Sequence, residues 1–457
     1  MKGSRATLLV AALALVSRLG VALWAFGRVE PVADGVYYHI HAQRLAEGLG
    51  YTWLWPDGTV TYAAHYPVGY PAAISAVYAA LGPVVGYAMI FNALLGALGA
   101  VALHRAALLL TSQRAAWFAG LAFALHPALV SYTPALMTEG VTAALLALAL
   151  WAAVALSDAS NRTRWLAFVS LAAIVGTTTL VRPQSILLAP LFAFVALGHM
   201  PLPRRLLSAV AVLLLSLAVV LPWTARNCDK LGRCALVSVN GGWNLLIGTD
   251  PEAKGSWAPI KVPEACASEF DEAEKDVCFE REALRVIRAE PVAWALLAPK
   301  KLAATFDYCG AGPWYLHQAS PESFGGTAKL VWGALETLVQ RLLLAAALAV
   351  AALTTARAWT PPLRRAFVYG ALGLAVLPWA WLGVLVFTGL GLAPPAGTTA
   401  KRRVALGLAA TVTGTTALIH AIFFGAGRYG LVIVPGLALA AACLRWPFDT
   451  APENPDD

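Results

Sequence analysis

This chain is short of charge. Asp, Glu, Lys and Arg make up 13% of its 457 residues, where a soluble domain carries about 25%. That shortage excludes an ordinary water-soluble globule. Cysteine is scarce as well, at six residues, and no two lie in a CxxC pair, so the spacing of a zinc ribbon or finger is missing. The chain shows no internal repeat with matched broken helices, the pattern of many secondary transporters. A basic nucleic-acid face is also missing. The net charge is +8, but the Lys and Arg residues mostly sit in short loops between apolar runs, as the positive-inside rule expects. No nucleic-acid partner is expected.

What the chain has instead is apolar length. Hydrophobic residues reach 59% and mean hydropathy is +0.67. The apolar runs are about 20 residues long, the length that crosses a bilayer as a helix. Strands of a membrane barrel are about 10 residues and alternate, so a barrel is excluded. The expected class is an all-α polytopic membrane protein of eleven to thirteen spans.

Taken in order, the first span is expected at 6–26, uncleaved, after Lys2 and Arg5 on the cytoplasmic side. An outer loop follows over 27–70. It opens with Asp34-Gly-Val-Tyr-Tyr-His-Ile-His, an acid leading a short helix over 35–47, and ends with His65-Tyr-Pro-Val-Gly-Tyr-Pro71, whose prolines and glycine fix a turn. A short helix at 71–81 precedes spans at 84–110, 115–131, 138–157, 165–181, 184–198 and 206–223. Residues 226–327 form the one substantial soluble stretch. Twelve of the 25 acidic residues lie between 226 and 300. An amphipathic helix is expected at 271–290 with Val277, Leu284 and Ile287 on one face. Further spans are expected at 328–354, as a tight hairpin over 366–394, and at 404–424 and 430–445, before an acidic cytoplasmic tail at 446–457. The organisation is thus an N-terminal membrane module (1–225), the soluble loop (226–327), C-terminal membrane helices (328–445) and the tail.

Cys228, Cys234, Cys266 and Cys278 all fall in the soluble loop, on the oxidising side of this topology, where disulfides are the natural reading. Four cysteines allow three connectivities, one of which, pairing by proximity, would join Cys228 to Cys234 and Cys266 to Cys278; a zinc site is the competing use. His39 and His41 near Asp34 do not form a metal pair, because a two-residue spacing on a helix splays them apart. The sequence supports no cofactor and no divalent cation.

Charges at membrane depth or at its edge are expensive and usually functional. In the inferred topology Asp34, His65, Glu139, Arg182, Arg226 and Arg428 converge on the outer face. Arg182 and Arg428 each follow an apolar run with no other charge nearby, as a pocket for an anionic group requires, and arginine offers a fork matched to phosphate. Simpler uses stand beside these. Asp34 also suits the N-cap of its helix, and Arg226 could snorkel to lipid headgroups.

Together these motifs resemble the GT-C integral-membrane glycosyltransferases, in particular the protein O-mannosyltransferase and aminoarabinose-transferase-like group. The first outer loop is similar to theirs in its acid, Tyr37 or Tyr38, Ala42, Leu45 and Gly48-Leu-Gly-Tyr51. His65–Pro71, Leu125-His-Pro127, Leu136-Met-Thr-Glu139, Val181-Arg-Pro183, Pro222-Trp-Thr-Ala-Arg-Asn227, Gly241-Gly-Trp-Asn244 and Arg428-Tyr429 follow in order, over about residues 6–445. Two departures stand out. The usual double acid is Asp34-Gly35, and the usual lysine of the proline-rich segment is His65 or Tyr66.

The resemblance implies transfer of a sugar from a polyprenyl-phosphate donor to a glycan, lipid or protein acceptor. The reaction would run at the periplasmic face of a bacterial-type inner membrane. It implies Asp34 as general base with inversion, and Glu139, Tyr37 and Tyr38 as groups orienting acceptor or sugar. Arg182, Arg428, Arg226, His65 and Tyr429 would hold the donor phosphate, and Gly241, Gly242 and Asn244 would belong to a loop over the donor. A transporter or flippase of lipid-linked or anionic substrates is the alternative.

Overall fold

The computed structural model describes residues 2–158 and 161–444; the acidic tail at 446–457 lies outside them. Among the described residues the regular structure is helical, apart from one small hairpin and an isolated bridge between Ser256 and Gly425.

The N-terminal part runs α1 (Lys2–Ala25), α2 (Asp34–Ala46), the strands β1 (Thr52–Leu54) and β2 (Val60–Tyr62), α3 (Gly69–Leu81), α4 (Val85–Leu110), α5 (Gln113–Ala124), α6 (Pro127–Ser131), α7 (Thr138–Asp158) and α8 (Asn161–Val181). A 3-10 turn over Pro183–Leu187 leads into α9 (Leu188–Ala196) and then α10 (Leu202–Leu231). The soluble stretch holds α11 (Gly241–Ile247), α12 (Glu272–Ala289), α13 (Pro291–Ala295), α14 (Ala298–Phe306) and α15 (Ala311–Ala319). The C-terminal part holds α16 (Gly326–Thr355), α17 (Pro361–Val376), α18 (Ala380–Leu392), α19 (Ala400–Ile422), a 3-10 turn over Gly427–Ile433 and α20 (Val434–Ala441).

Among the described residues, seven helices are long and apolar enough to cross a membrane: those of α1, α4, α7, α8, α10, α16 and α19. The expected count of eleven to thirteen is reached only by adding shorter apolar helices such as Pro183–Ala196, Ala380–Leu392 and Gly427–Ala441. Proline explains several of the short ones. A residue without an N–H, with a ring that clashes with the turn before it, ends a helix. The expected span at 115–131 accordingly breaks at His126-Pro127 into α5 and α6. The carbonyls freed at the end of α5 are met by Arg18 of α1, which donates to Phe123 O at 2.9 Å and to Ala124 O. Gly96 of α4 makes this possible, since a Cβ there would lie 2.4 Å from Arg18 Nε.

One proline does not end its helix. The span expected to stop at 223 continues through Pro222 to Leu231. Its last turns are held by contacts to the segment that follows: Trp223 donates to Val237 O (2.8 Å) and Asn227 to Ala235 O (3.0 Å). The Cys228–Cys234 disulfide closes the same corner. One side of α10 carries exposed Leu207, Val210, Leu214 and Leu221, as a lipid-facing helix should.

The hairpin over 52–62 has no counterpart in the sequence expectations. Its antiparallel register pairs Thr52 with Tyr62 and Leu54 with Val60. The turn is fixed by Asp57, which accepts the Thr59 N–H at 2.9 Å, and by Gly58 at φ 85. The amphipathic helix is present as α12, but its buried stripe is Ala273, Asp276, Phe279 and Ala283 rather than Val277, Leu284 and Ile287. The reason lies in α11. Gly242 lets the two helix backbones meet, since a Cβ there would stand 2.0 Å from Asp276 O, and this contact selects the face. The second disulfide, Cys266–Cys278, ties the preceding loop to α12. Cys309 and Cys443 are buried and free.

Candidate active site

Four charged side chains from four separate places in the chain meet at one end of the helical bundle. Arg428 is the hub. Its Nη1 lies 2.9 Å from Asp34 Oδ2 and its Nε 3.4 Å from Glu139 Oε1. Arg182 Nη1 reaches the same Glu139 oxygen at 3.2 Å. Tyr132 donates to Glu139 Oε2 at 3.0 Å. Tyr429 lies beside both arginines. The Arg182 and Arg428 guanidinium carbons are 5.0 and 5.1 Å from its ring centre, and its hydroxyl accepts from Arg428 Nη2 at 3.2 Å. His420 stacks on the Tyr429 ring at 4.1 Å.

Each group is delivered by a local feature of the backbone. Asp34 is the first residue of α2, not its cap. The N-cap position is Ala33, held at φ 51, and no side chain caps the helix. The Asp34 carboxylate is therefore free to turn to Arg428, and the N-capping alternative is set aside. Glu139 opens α7 after a turn whose carbonyls are met by Asn92 of α4, which donates to Thr133 O and Ala135 O at 3.1 Å each. Arg182 follows directly after α8, against which α3 packs at Gly69. A Cβ on that glycine would stand 2.6 Å from the Leu180 carbonyl carbon, so the glycine of the proline-rich motif serves close packing. Arg428 sits in the glycine-rich run after α19. Gly425, Gly427 and Gly430 lie against backbone oxygens of Lys301, Tyr308 and Thr305. Buried Lys301 donates to Ile422 O at 2.8 Å and so closes the carbonyl end of α19 with a cation.

The remaining expected residues are distributed around this centre. Tyr38 is buried against Tyr66 and Tyr70. Its hydroxyl is pushed well above its usual range by burial, then by the negative charge of Asp34 and Glu139. Tyr37 is exposed and stacks on Tyr66 at 5.0 Å. His65 stands edge-on to Tyr66 and Trp243. Loss of solvent pushes its imidazole down to about 4, with Asp34 pulling the other way, so at neutral pH it is not a fixed cation.

Arg226 is not brought to the cluster by any ion pair or hydrogen bond among the described residues. It donates to Tyr51 O and Ala63 O, both at 2.8 Å, and lies over Trp223 and Tyr62. These bonds hold the two ends of the hairpin. Gly241, Gly242 and Asn244 lie in α11. Gly242 packs on α12, and the Trp243 N–H bonds Asp276 Oδ1 at 3.0 Å. The Glu139 carboxylate is held by two arginines and a tyrosine.

Sequence reasoning missed Tyr132 and Tyr315. Tyr132 stands in the outer turn that leads to Glu139, and its spacing from that acid was the available signal. Tyr315 lies in α15 with no motif around it. The departure at Gly35 has a steric account: a Cβ there would stand 2.8 Å from Tyr315 Oη and 3.1 Å from Leu136 O. Among the described residues no group of three or more His, Cys, Asp or Glu side chains is arranged to hold a metal.

Chemically, two carboxylates and two guanidinium groups balance one another. An arriving anion would find two cations held by a partly buried frame, with a half-exposed carboxylate beside them.

Residues 65–225 match the family model for dolichyl-phosphate-mannose-protein mannosyltransferase. No curated protein matches the chain. Among solved structures the chain is similar to ArnT from Cupriavidus metallidurans in the apo state, at 16% identity over 97% of this chain and 77% of that one, with a TM-score of 0.43. It is similar to the same protein bound to undecaprenyl phosphate, at 16% identity over 95% and 76% of the two chains, with a TM-score of 0.42. It is also similar to the Archaeoglobus fulgidus oligosaccharyltransferase tethered to an acceptor peptide, at 14% identity over 96% of this chain and a TM-score of 0.49. There it spans 49% of the archaeal chain. The family match falls on the stretch that carries the proline-rich segment, Glu139 and Arg182.

Proposed function

We propose that the chain transfers a sugar from a polyprenyl-phosphate donor to an acceptor hydroxyl or amine, with inversion, at the end of the bundle that carries Asp34. The active site faces the periplasm of a bacterial-type inner membrane. The observation that carries this reading is Arg428 joining Asp34 to the Glu139–Arg182 pair.

The apolar helices offer the donor tail a lipid-like surface. The donor phosphate takes the place beside Arg182 and Arg428 that the carboxylates now share. In the reaction the bond from the anomeric carbon to the phosphate oxygen breaks, and its electron pair leaves with the phosphate. The two fixed cations stabilise that growing charge, so the leaving group needs no acid. The acceptor oxygen or nitrogen bonds to the anomeric carbon from the opposite face, and its proton passes to Asp34. One carboxylate acting as base, with attack opposite the leaving group, gives inversion. Glu139 holds the two arginines in place. Tyr37 and Tyr38, one turn along α2 from Asp34, line the approach of acceptor or sugar. The stretch from Gly241 to Asn244 covers the donor side through Trp243 and His65.

The test is transfer by the full chain in lipid nanodiscs. Undecaprenyl phosphate charged with a labelled hexose or pentose serves as donor, and solubilised envelope lipids and glycoproteins serve as the acceptor pool. Asp34→Asn is expected to lower transfer by about 10²-fold or more. A folded variant that transfers at the wild-type rate removes Asp34 as the base. Movement of the donor across the bilayer without its cleavage would favour a transporter instead.

A further inference from the structure

We infer that Tyr315 is a positioning residue for the Asp34 carboxylate, filling the space that a side chain at position 35 would need. This rests on the base role proposed for Asp34.

Three contacts of one buried side chain lead to it. Tyr315 is 1% exposed. Its hydroxyl oxygen accepts the Val32 N–H at 3.4 Å and the Leu136 N–H at 3.3 Å. Val32 lies two residues ahead of Asp34, and Leu136 three residues ahead of Glu139. The Tyr315 ring also meets the Tyr132 ring edge-on at 6.2 Å, and Tyr132 donates to Glu139. One tyrosine thus touches the backbone that delivers each carboxylate and the side chain that orients one of them.

The two hydrogen bonds are long, and each is worth little alone. Their importance is geometric. The segment from Val32 to Asp34 passes through Ala33 at φ 51, in the range where a residue with a Cβ is strained. Such a turn persists only where its surroundings hold it, and the Tyr315 hydroxyl is bonded on its N-terminal side. On its other side Gly35 leaves room for the same hydroxyl; a Cβ at that position would stand 2.8 Å from the oxygen and close the space. Gly35 and Tyr315 therefore form a matched pair. A lone general base must be held within a fraction of an ångström of its proton, and here the support comes from α15, far along the chain.

The experiment compares Tyr315→Phe, Gly35→Ala and the double variant of the full chain in nanodiscs. It uses the charged undecaprenyl-phosphate donor, with bare undecaprenyl phosphate as the binding probe. Tyr315→Phe keeps the ring and removes the oxygen. It is expected to lower kcat by roughly tenfold to a hundredfold, with donor KM and the Kd for undecaprenyl phosphate within about twofold. Gly35→Ala is expected to lower kcat as well, and adding Tyr315→Phe to it should recover part of that loss, because the clashing oxygen is gone. Unchanged kcat in Tyr315→Phe overturns the inference. So do parallel losses of kcat, KM and Kd, which would mark a merely structural residue, and so does simple additivity in the double variant. Full activity of Asp34→Asn in the same assay would overturn the base reading itself, whatever Tyr315 does.

Discussion

Arg428 binds Asp34 and Glu139 at once, at 2.9 and 3.4 Å. One guanidinium thus serves a half-exposed carboxylate and a buried one. Before any donor arrives, the proposed base is paired with the cation proposed to receive the donor phosphate. In the proposed reaction phosphate and Asp34 would compete for Arg428, so that the arrival of the one would release the other.

This competition has a sign that can be measured. Asp34→Asn removes a negative charge and a rival for Arg428. It is expected to tighten binding of bare undecaprenyl phosphate by roughly two- to tenfold, a charge-assisted hydrogen bond discounted for its solvent exposure. The same variant loses transfer. Titration of wild type and variant in nanodiscs reads the first effect. Weaker binding in Asp34→Asn would mean that the two do not compete.

Glu139 is 2% exposed and holds two arginines. Glu139→Gln keeps the shape but leaves Arg182 without a counter-charge and Arg428 with Asp34 alone. Breaking a buried pair of this kind costs about 3 kcal/mol, so a lower thermal midpoint is expected. Bound undecaprenyl phosphate should restore much of the loss, since it supplies the missing negative charge. A thermal-shift series with and without the lipid checks both parts.

Arg226 serves the hairpin. Arg226→Ala removes its bonds to Tyr51 O and Ala63 O, a loss of about 2 kcal/mol for hydrogen bonds to a charged group. The expected result is faster amide exchange over 51–64 with undecaprenyl phosphate affinity unchanged. A large fall in that affinity would return Arg226 to the phosphate site.

Burial pushes the Lys301 amine down to about 8 from an ordinary 10.5. A group that loses its proton more easily when folded than when unfolded binds fewer protons in the native state between those two values. Stability then rises with pH across that window. The wild-type protein is therefore expected to gain stability between pH 8 and 10.5, and Lys301→Met to flatten that part of the curve. Denaturant midpoints at several pH values give the slope.

Much of the site was legible in the sequence because each member violates a composition rule. Asp34, Glu139, Arg182 and Arg428 are charges where apolar residues are the norm, and such charges need a partner. Their partners were not legible. Arg226 carries the same type of signal as Arg182, yet its donors are spent on the carbonyls of the hairpin. That difference depends on a strand pairing of three residues, too short to read as a pattern. Tyr315 carried no signal at all, since a tyrosine near a membrane is ordinary and only the empty side of Gly35 gives it meaning. The face of α12 was misread because periodicity marks which side chains are apolar, whereas a glycine on α11 decided which side could approach.

The sequence by itself determined that this is a helical multi-pass membrane protein and which charges are out of place. Those properties follow from transfer free energies and helix length, which are local. Only the tertiary structure decided that Asp34, Arg428, Glu139 and Arg182 form one cluster with Arg428 at its centre. That outcome depends on glycines that admit close backbone contacts and on a tyrosine and a lysine reaching across from distant helices. Such contacts lie between segments far apart in the chain, where no local spacing records them.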